Sequence, residues 1–364
     1  MERIRRILTH IQTSIPPPNY QDPRNARNGI IVSNLNGYYD SQNIVRTTDP
    51  KTNETILSVV LHHTHNHEGG PGLRLYHTWS EDMGRTWAKL VPIEASLVRQ
   101  SHDGYQLVHG DKIFVFYGYN EGSLMHPIPS SKHGHVDLSR SDMQLKEGYY
   151  VKVSLDNGRT FEKDRSLIPI RRTNIDRRNP FGGDIMGMFC CDKPSIIGDS
   201  VYFAFQKTKE GGGETHGSEV WFARSRDFLR VDSPKDATWE TLPHGEVGLQ
   251  APSGDFTLGE EPHIMQVDSR DPSRVFSLWR CEVGRIACAY SSDGGCTWEK
   301  PYFMTYDRLC FTPQVQFHTS SRTQILRRER RFEGSSQSSW FLDSVQITSE
   351  NCRWTCSVCV DFLQ

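Results

Sequence analysis

The chain has 364 residues, enough to bury a sizeable core, and its 42 Lys and Arg against 44 Asp and Glu give a formal charge of -2. So even a balance sets up no global field for nucleic acid or an anionic membrane surface, so a charged ligand must be held by local groups. No run approaches the roughly 18 apolar residues of a membrane span.

Residues 1–29 read as an N-terminal extension. A short amphipathic helix could start at Ile4, but Pro16-Pro17-Pro18 stops any continuation. Residues 1–15 mix Arg3, Arg5 and Arg6 with short apolar pieces, unlike a secretory leader. As the sequence stands the expected location is cytoplasmic, or extracellular or lysosomal if a signal peptide precedes it. The body is expected to be sheet. Residues 56–61, 112–117, 200–205 and 274–279 are short, β-branched or aromatic runs, mostly led by polar turns such as His109-Gly110-Asp111. The nine cysteines include adjacent Cys190-Cys191 and the crowded Cys352, Cys356 and Cys359, from which no pairing follows.

Between these runs one pattern recurs. Residues 80–87, 154–161 and 291–298 each read Ser-x-Asp-x-Gly-x-Thr-aromatic, around Asp82, Asp156 and Asp293. A degraded fourth copy starts at Ser225-Arg226-Asp227 with its aromatic displaced to Trp239. The Asp positions lie 74, 71 and 66 residues apart, the length of one four-stranded sheet with its loops. The pattern has the chemistry of a hairpin turn. Asp accepts backbone N–H groups, Gly takes a positive φ, and the aromatic packs between sheets. The acids would sit on separate sheets, so the repeat is expected to be structural rather than catalytic.

Three further stretches accompany the turns: Cys191-Asp192-Lys193-Pro194, Glu260-Glu261-Pro262-His263, and Arg280 ending a strand ahead of the third complete turn. On these residues the chain from about Tyr39 to about Tyr306 resembles the sialidase (neuraminidase) superfamily, whose Asp-box or BNR repeats mark β-propellers. The resemblance implies an all-β, six-bladed propeller over residues 30–313 with an altered last blade, and Asp-boxes away from the active face. Residues 314–364 form a basic, Cys-rich tail that departs from the family, and no tyrosine there matches its nucleophile.

The family grips a sugar carboxylate with arginines, whose guanidinium fork pairs bidentately and stays charged. It pairs a tyrosine nucleophile with a glutamate and uses an aspartate as acid and base. By this resemblance Arg280 matches a triad arginine and Glu261 the glutamate, while Ser41 stands where the first arginine is expected. Glu68 is the nearest carboxylate to the acid–base position, with Asp103 as the alternative. Lys193 and Asp192 hold the corresponding place one blade earlier. These two, with His65 and His67 of the loop after Leu61 and with Tyr117, are expected to contact substrate. Within that loop no Cys or spaced Asp completes a metal site, so neither metal nor cofactor is expected.

Three functions stay open: a glycoside hydrolase acting weakly on terminal sialic acid or a related acidic sugar, an inactive glycan-binding propeller, or an enzyme on another acidic or sulfated polysaccharide. The expected partners are sialylated or other acidic glycans.

Overall fold

A computed structural model describes residues 32–33, 35–49, 52–64, 73–96, 100–120, 144–145, 147–179, 182–208, 217–252, 259–281 and 285–305, and the backbone of 345–349 and 352–356. The chain divides into a unit of Met1–Met304 and a second of Thr305–Gln364. The expected extension 1–29 and most of the expected tail lie outside the described residues.

The first unit is nearly all β and builds four antiparallel sheets in chain order. The first sheet runs β1 (Tyr38–Thr48), β2 (Thr55–Thr64), β3 (Arg74–Ser80) and β4 (Val91–Pro92). The second opens with β5 (Ser101–His109) and β6 (Lys112–Tyr119). Two-residue β7 (Gln144–Leu145) leaves for the edge of the third sheet, and β8 (Gly148–Ser154) and β9 (Ser166–Pro169) complete the second. A single helical turn, α1 (Asn174–Arg177), precedes the third sheet. That sheet has an inner strand broken into β10 (Met186–Phe189) and β11 (Ser195–Ile197), then β12 (Ser200–Thr208), β13 (Ser218–Ser225) and β14 (Glu240–Leu242). The fourth is β15 (Glu260–Asp268), β16 (Asp271–Arg280), β17 (Ile286–Ser291) and β18 (Tyr302–Phe303). In the second unit β19 (Val345–Ser349) pairs with β20 (Cys352–Cys356) as a hairpin. The described residues thus form four blade-like sheets where the resemblance implies six, and they show no closed ring.

The four runs expected to be sheet fall within β2, β6, β12 and β16, the second strand of each sheet. Three are almost wholly buried, and β6 and β12 have a neighbouring sheet on each side. Along β6, Val115, Tyr117 and Tyr119 pack with Val60, Leu75 and Ile93 of the first sheet. The alternate residues Phe114 and Phe116 pack with Phe203, Phe205 and Trp221 of the third. Along β12 the same two-residue period sends Tyr202 and Ala204 to the fourth sheet, against Ile264 and Trp279. Each large apolar side chain so buried contributes about 1.5–3 kcal/mol.

Each repeated turn links the third and fourth strands of its sheet. Asp82 Oδ1 accepts the Thr86 N–H at 2.9 Å and the Ser80 hydroxyl at 2.8 Å, and Oδ2 accepts the Thr86 hydroxyl at 2.7 Å. Asp156 repeats this with Thr160 and Ser154, and Asp293 with Thr297 and Ser291. The fourth copy closes on a distant partner: Asp227 accepts the N–H of Thr238 at 2.9 Å and its hydroxyl at 2.6 Å, with Phe228 to Ala237 looped out between. The Thr86 backbone N–H, then its hydroxyl and that of Ser80, hold the Asp82 carboxyl down to about 2.

Candidate functional site

In a four-stranded antiparallel sheet the first and third strands run the same way. The start of the first strand therefore lies at the end opposite the repeated turns, beside the end of the second strand. At that end three first strands bulge at matching points. Ser41 and Gln42 oppose Leu61, Asp103 and Gly104 oppose Tyr117, and Glu261 and Pro262 oppose Trp279. The leading residue of each bulge is left-handed: Ser41 at φ 48, Asp103 at φ 52 and Glu261 at φ 48. None is glycine, so each conformation costs of order 1–3 kcal/mol. Gly104 is fixed by crowding, since a Cβ there would lie 2.4 Å from the Leu75 side chain. In the third sheet the same place is taken by the break between β10 and β11, which carries Cys190 to Pro194.

These positions meet. The Tyr105 phenol, two residues beyond Asp103 on β5, interacts with Ser41 of the first sheet and with the Cys191 thiol of the third. Cys191 in turn feels the charges of Asp103 and Glu261. Burial pushes both the Tyr105 phenol and the Cys191 thiol well above their ordinary pKa values, and the negative neighbours add to it. Tyr105 is therefore a neutral hydrogen-bond donor rather than a nucleophile, and Cys191 a thiol rather than a thiolate. Asp103 is buried and its Oδ2 lies 3.0 Å from His102 Nδ1.

Arg280, at the end of β16, pairs with Glu260 at 2.6 Å and Glu261 at 2.9 Å, as the register that sets Glu260 opposite Arg280 requires. Lys193 is half-buried, and its ammonium has no hydrogen-bond or ion-pair partner among the described residues; burial lowers its pKa. Asp192 is 3 % exposed and faces inward. Its Oδ2 accepts the Ala204 N–H at 2.7 Å and its Oδ1 lies 2.9 Å from His263 Nδ1. Burial raises the Asp192 pKa against the pull of His263. Burial works to lower His263, but the hydrogen bond and charge of Asp192, with Glu261, outweigh it and raise it.

Of the residues expected in the site, Asp103, Asp192, Lys193, Glu261 and Arg280 stand at this end of the sheets. Tyr117 does not join them. It is fully buried between the first two sheets, and its hydroxyl donates to Glu94. Glu68, His65 and His67 lie outside the described residues. From the same histidine-rich stretch His62 is buried and accepts the Gly104 N–H at 3.2 Å, and His63 Nε2 lies 3.0 Å from the Asn36 carbonyl, so both fasten backbone. Tyr105 and His263 had no assigned role in the sequence, although each stands two residues beyond a candidate carboxylate. Among the described residues no three His, Cys, Asp or Glu are grouped to hold a metal ion, and no helix is long and apolar enough to cross a membrane.

No protein-family model matches the chain, and no curated protein sequence does. Solved structures with a similar course include the Hadza microbial sialidase Hz136, at 17 % identity and a TM-score of 0.45, over 72 % of this chain and 46 % of that one. A protein of unknown function from Dyadobacter fermentans aligns at 15 % identity and a TM-score of 0.49, over 88 % of this chain and 77 % of its own. Zg3597, a family 117 glycoside hydrolase of Zobellia galactanivorans, aligns at 12 % and 0.42, over 75 % and 74 %. The chain spans under half the length of the Hadza sialidase. At these scores the similarity is a distant one of strand arrangement and says nothing of the reaction.

Proposed function

We propose that the first unit is a glycan-handling scaffold of sialidase type, a glycoside hydrolase that takes a terminal acidic sugar at the bulged ends of its sheets and turns it over slowly. The observation that carries this is the matched set of bulges. Left-handed strain is kept at Ser41, Asp103 and Glu261, at matching points of three sheets, and strain of this kind gathers at functional sites. Two carboxylates there, Asp103 and Glu261, suit the acid–base work of glycoside hydrolysis. Lys193 is the cation left for a sugar carboxylate, because Arg280 is held by Glu260 and Glu261.

The test is a panel of fluorogenic sialosides, uronides and sulfated glycosides run beside a glycan array. Slow hydrolysis of an acidic glycoside, lowered by about 10²-fold or more in Asp103→Asn, is expected. The absence of both hydrolysis and glycan binding would overturn the proposal. Binding without turnover would establish the second reading, an inert glycan-binding propeller. That reading is favoured by Ser41 in the arginine position and by the two glutamates that already occupy Arg280.

A further inference from the structure

Asp192 and His263 form a pair that has no part in the proposed function so far. Asp192, from the break in the third sheet's inner strand, is buried and anchored by the Ala204 N–H, and it holds His263 of β15 by Nδ1 at 2.9 Å. The imidazole is 44 % exposed, and its Nε2 makes no hydrogen bond among the described residues. A carboxylate on one ring nitrogen fixes the tautomer, orients the ring and stabilises the imidazolium, leaving the other nitrogen to exchange a proton with a ligand. The strand places this ring two residues from Glu261, whose charge His263 also feels, and Arg280 of β16 lies against Glu261 in turn. Lys193 follows Asp192 directly in the chain.

We infer that His263, oriented by buried Asp192, is the proton donor of this site: its Nε2–H protonates the glycosidic oxygen of a sugar bound over Glu261 and Lys193. The inference rests on the glycosidase reading above. In the step, the Nε2 proton passes to the glycosidic oxygen as the bond from that oxygen to the anomeric carbon breaks, and the aglycone leaves as a neutral alcohol. Water forms the new bond to the anomeric carbon and gives its proton to the Asp103 carboxylate, and solvent returns a proton from Asp103 to the imidazole. The groups that set the His263 charge are Asp192 and Glu261, both of which favour imidazolium.

The experiment compares full-length wild type, His263→Gln and Asp192→Asn on two glycosides of one sugar, a nitrophenyl glycoside with a good leaving group and an alkyl glycoside with a poor one. A proton donor matters most where the leaving group is poor. His263→Gln is therefore expected to lose about 10²-fold in kcat on the alkyl glycoside and under tenfold on the nitrophenyl glycoside, with KM unchanged. Asp192→Asn should move the alkaline limb of the pH profile to lower pH, and the nitrogen NMR signals of His263 should show the same fall in its titration. Equal losses on both glycosides, or an alkaline limb unmoved in Asp192→Asn, would overturn the donor role while leaving the glycosidase reading standing. Wild type inactive on every glycoside would overturn both. If His263→Gln does not fold, the Asp192→Asn profile and titration decide the matter.

Discussion

The two ends of the sheets are built by opposite rules. At the turn end, four hairpins repeat the same bonds from an Asp carboxylate to a Ser hydroxyl, a Thr N–H and a Thr hydroxyl, and the side chains barely vary. At the bulged end three strands repeat a backbone distortion while the residue carrying it changes from Ser41 to Asp103 to Glu261. Constant side chains, on turns that also hold Met83 and Asn157 left-handed, serve each sheet separately. Varied side chains on a strained and constant backbone serve something the sheets share. One end should therefore govern folding without touching ligand choice, and the other should do the reverse, except where a buried charge mixes the two.

That exception gives the largest expected effect. Lys207, near the bulged end of β12, is fully buried with its ammonium 2.5 Å from Asp176, itself fully buried, and 2.6 Å from the Arg171 carbonyl. Lys207→Met strands the Asp176 charge and should cost about 3–5 kcal/mol in chemical denaturation. A loss under about 1 kcal/mol would show that water reaches the pair. Next comes an acid effect at the contact between two sheets. Burial holds the His77 pKa down to about 4, against 6.5 for a free imidazole, despite a hydrogen bond with the Gly158 backbone of the next sheet's turn. Between those values the unfolded chain binds the extra proton and the folded one does not, so stability falls as pH drops from 6.5 to 4, by up to about 3 kcal/mol. Urea midpoints across that window should show the fall, and His77→Phe should flatten it. The carboxyl of Asp82, held down to about 2, adds its own loss only below pH 4.

At the turn end alone, Asp156→Ala removes the acceptor of the Thr160 N–H and of two hydroxyls and should cost about 1–2 kcal/mol with ligand affinity unchanged. A change in glycan choice would erase the division between the ends. The smallest effect has the opposite sign. Ser41→Gly relieves a left-handed residue and should raise stability by at most about 1 kcal/mol while weakening ligand binding, because Tyr105 loses a partner.

The turn end was legible in the sequence because its bonds are local. Ser, Asp, Gly and Thr within a few residues of one another carry the whole structure, and even the looped-out copy at Asp227 keeps its start. Arg280 and Glu261 were singled out by resemblance, and the pairing of β15 with β16 brings their side chains together. The Asp192–His263 pair was not, since it forms across sheets between positions 71 residues apart. Asp192 looks like a surface polar residue until Ala204 and His263 are seen to enclose it. Tyr117 misled for a related reason. The two-residue period of β6 says that it shares a face with Val115 and Tyr119, but not that this face meets the first sheet. The left-handed backbone at the bulges has no local signature either, because Ser, Asp and Glu do not favour it as Gly would.

Each bulge also contains one residue more than its partner strand requires. A chain one residue shorter at positions 41, 103 and 261 could pair its first strands with their neighbours without interruption and without a left-handed residue. For folding alone these three residues are superfluous length, and the chain keeps them in three sheets. Their deletion separates two properties that point substitutions leave entangled: a straightened variant would be a better sheet protein with the proposed ligand site erased.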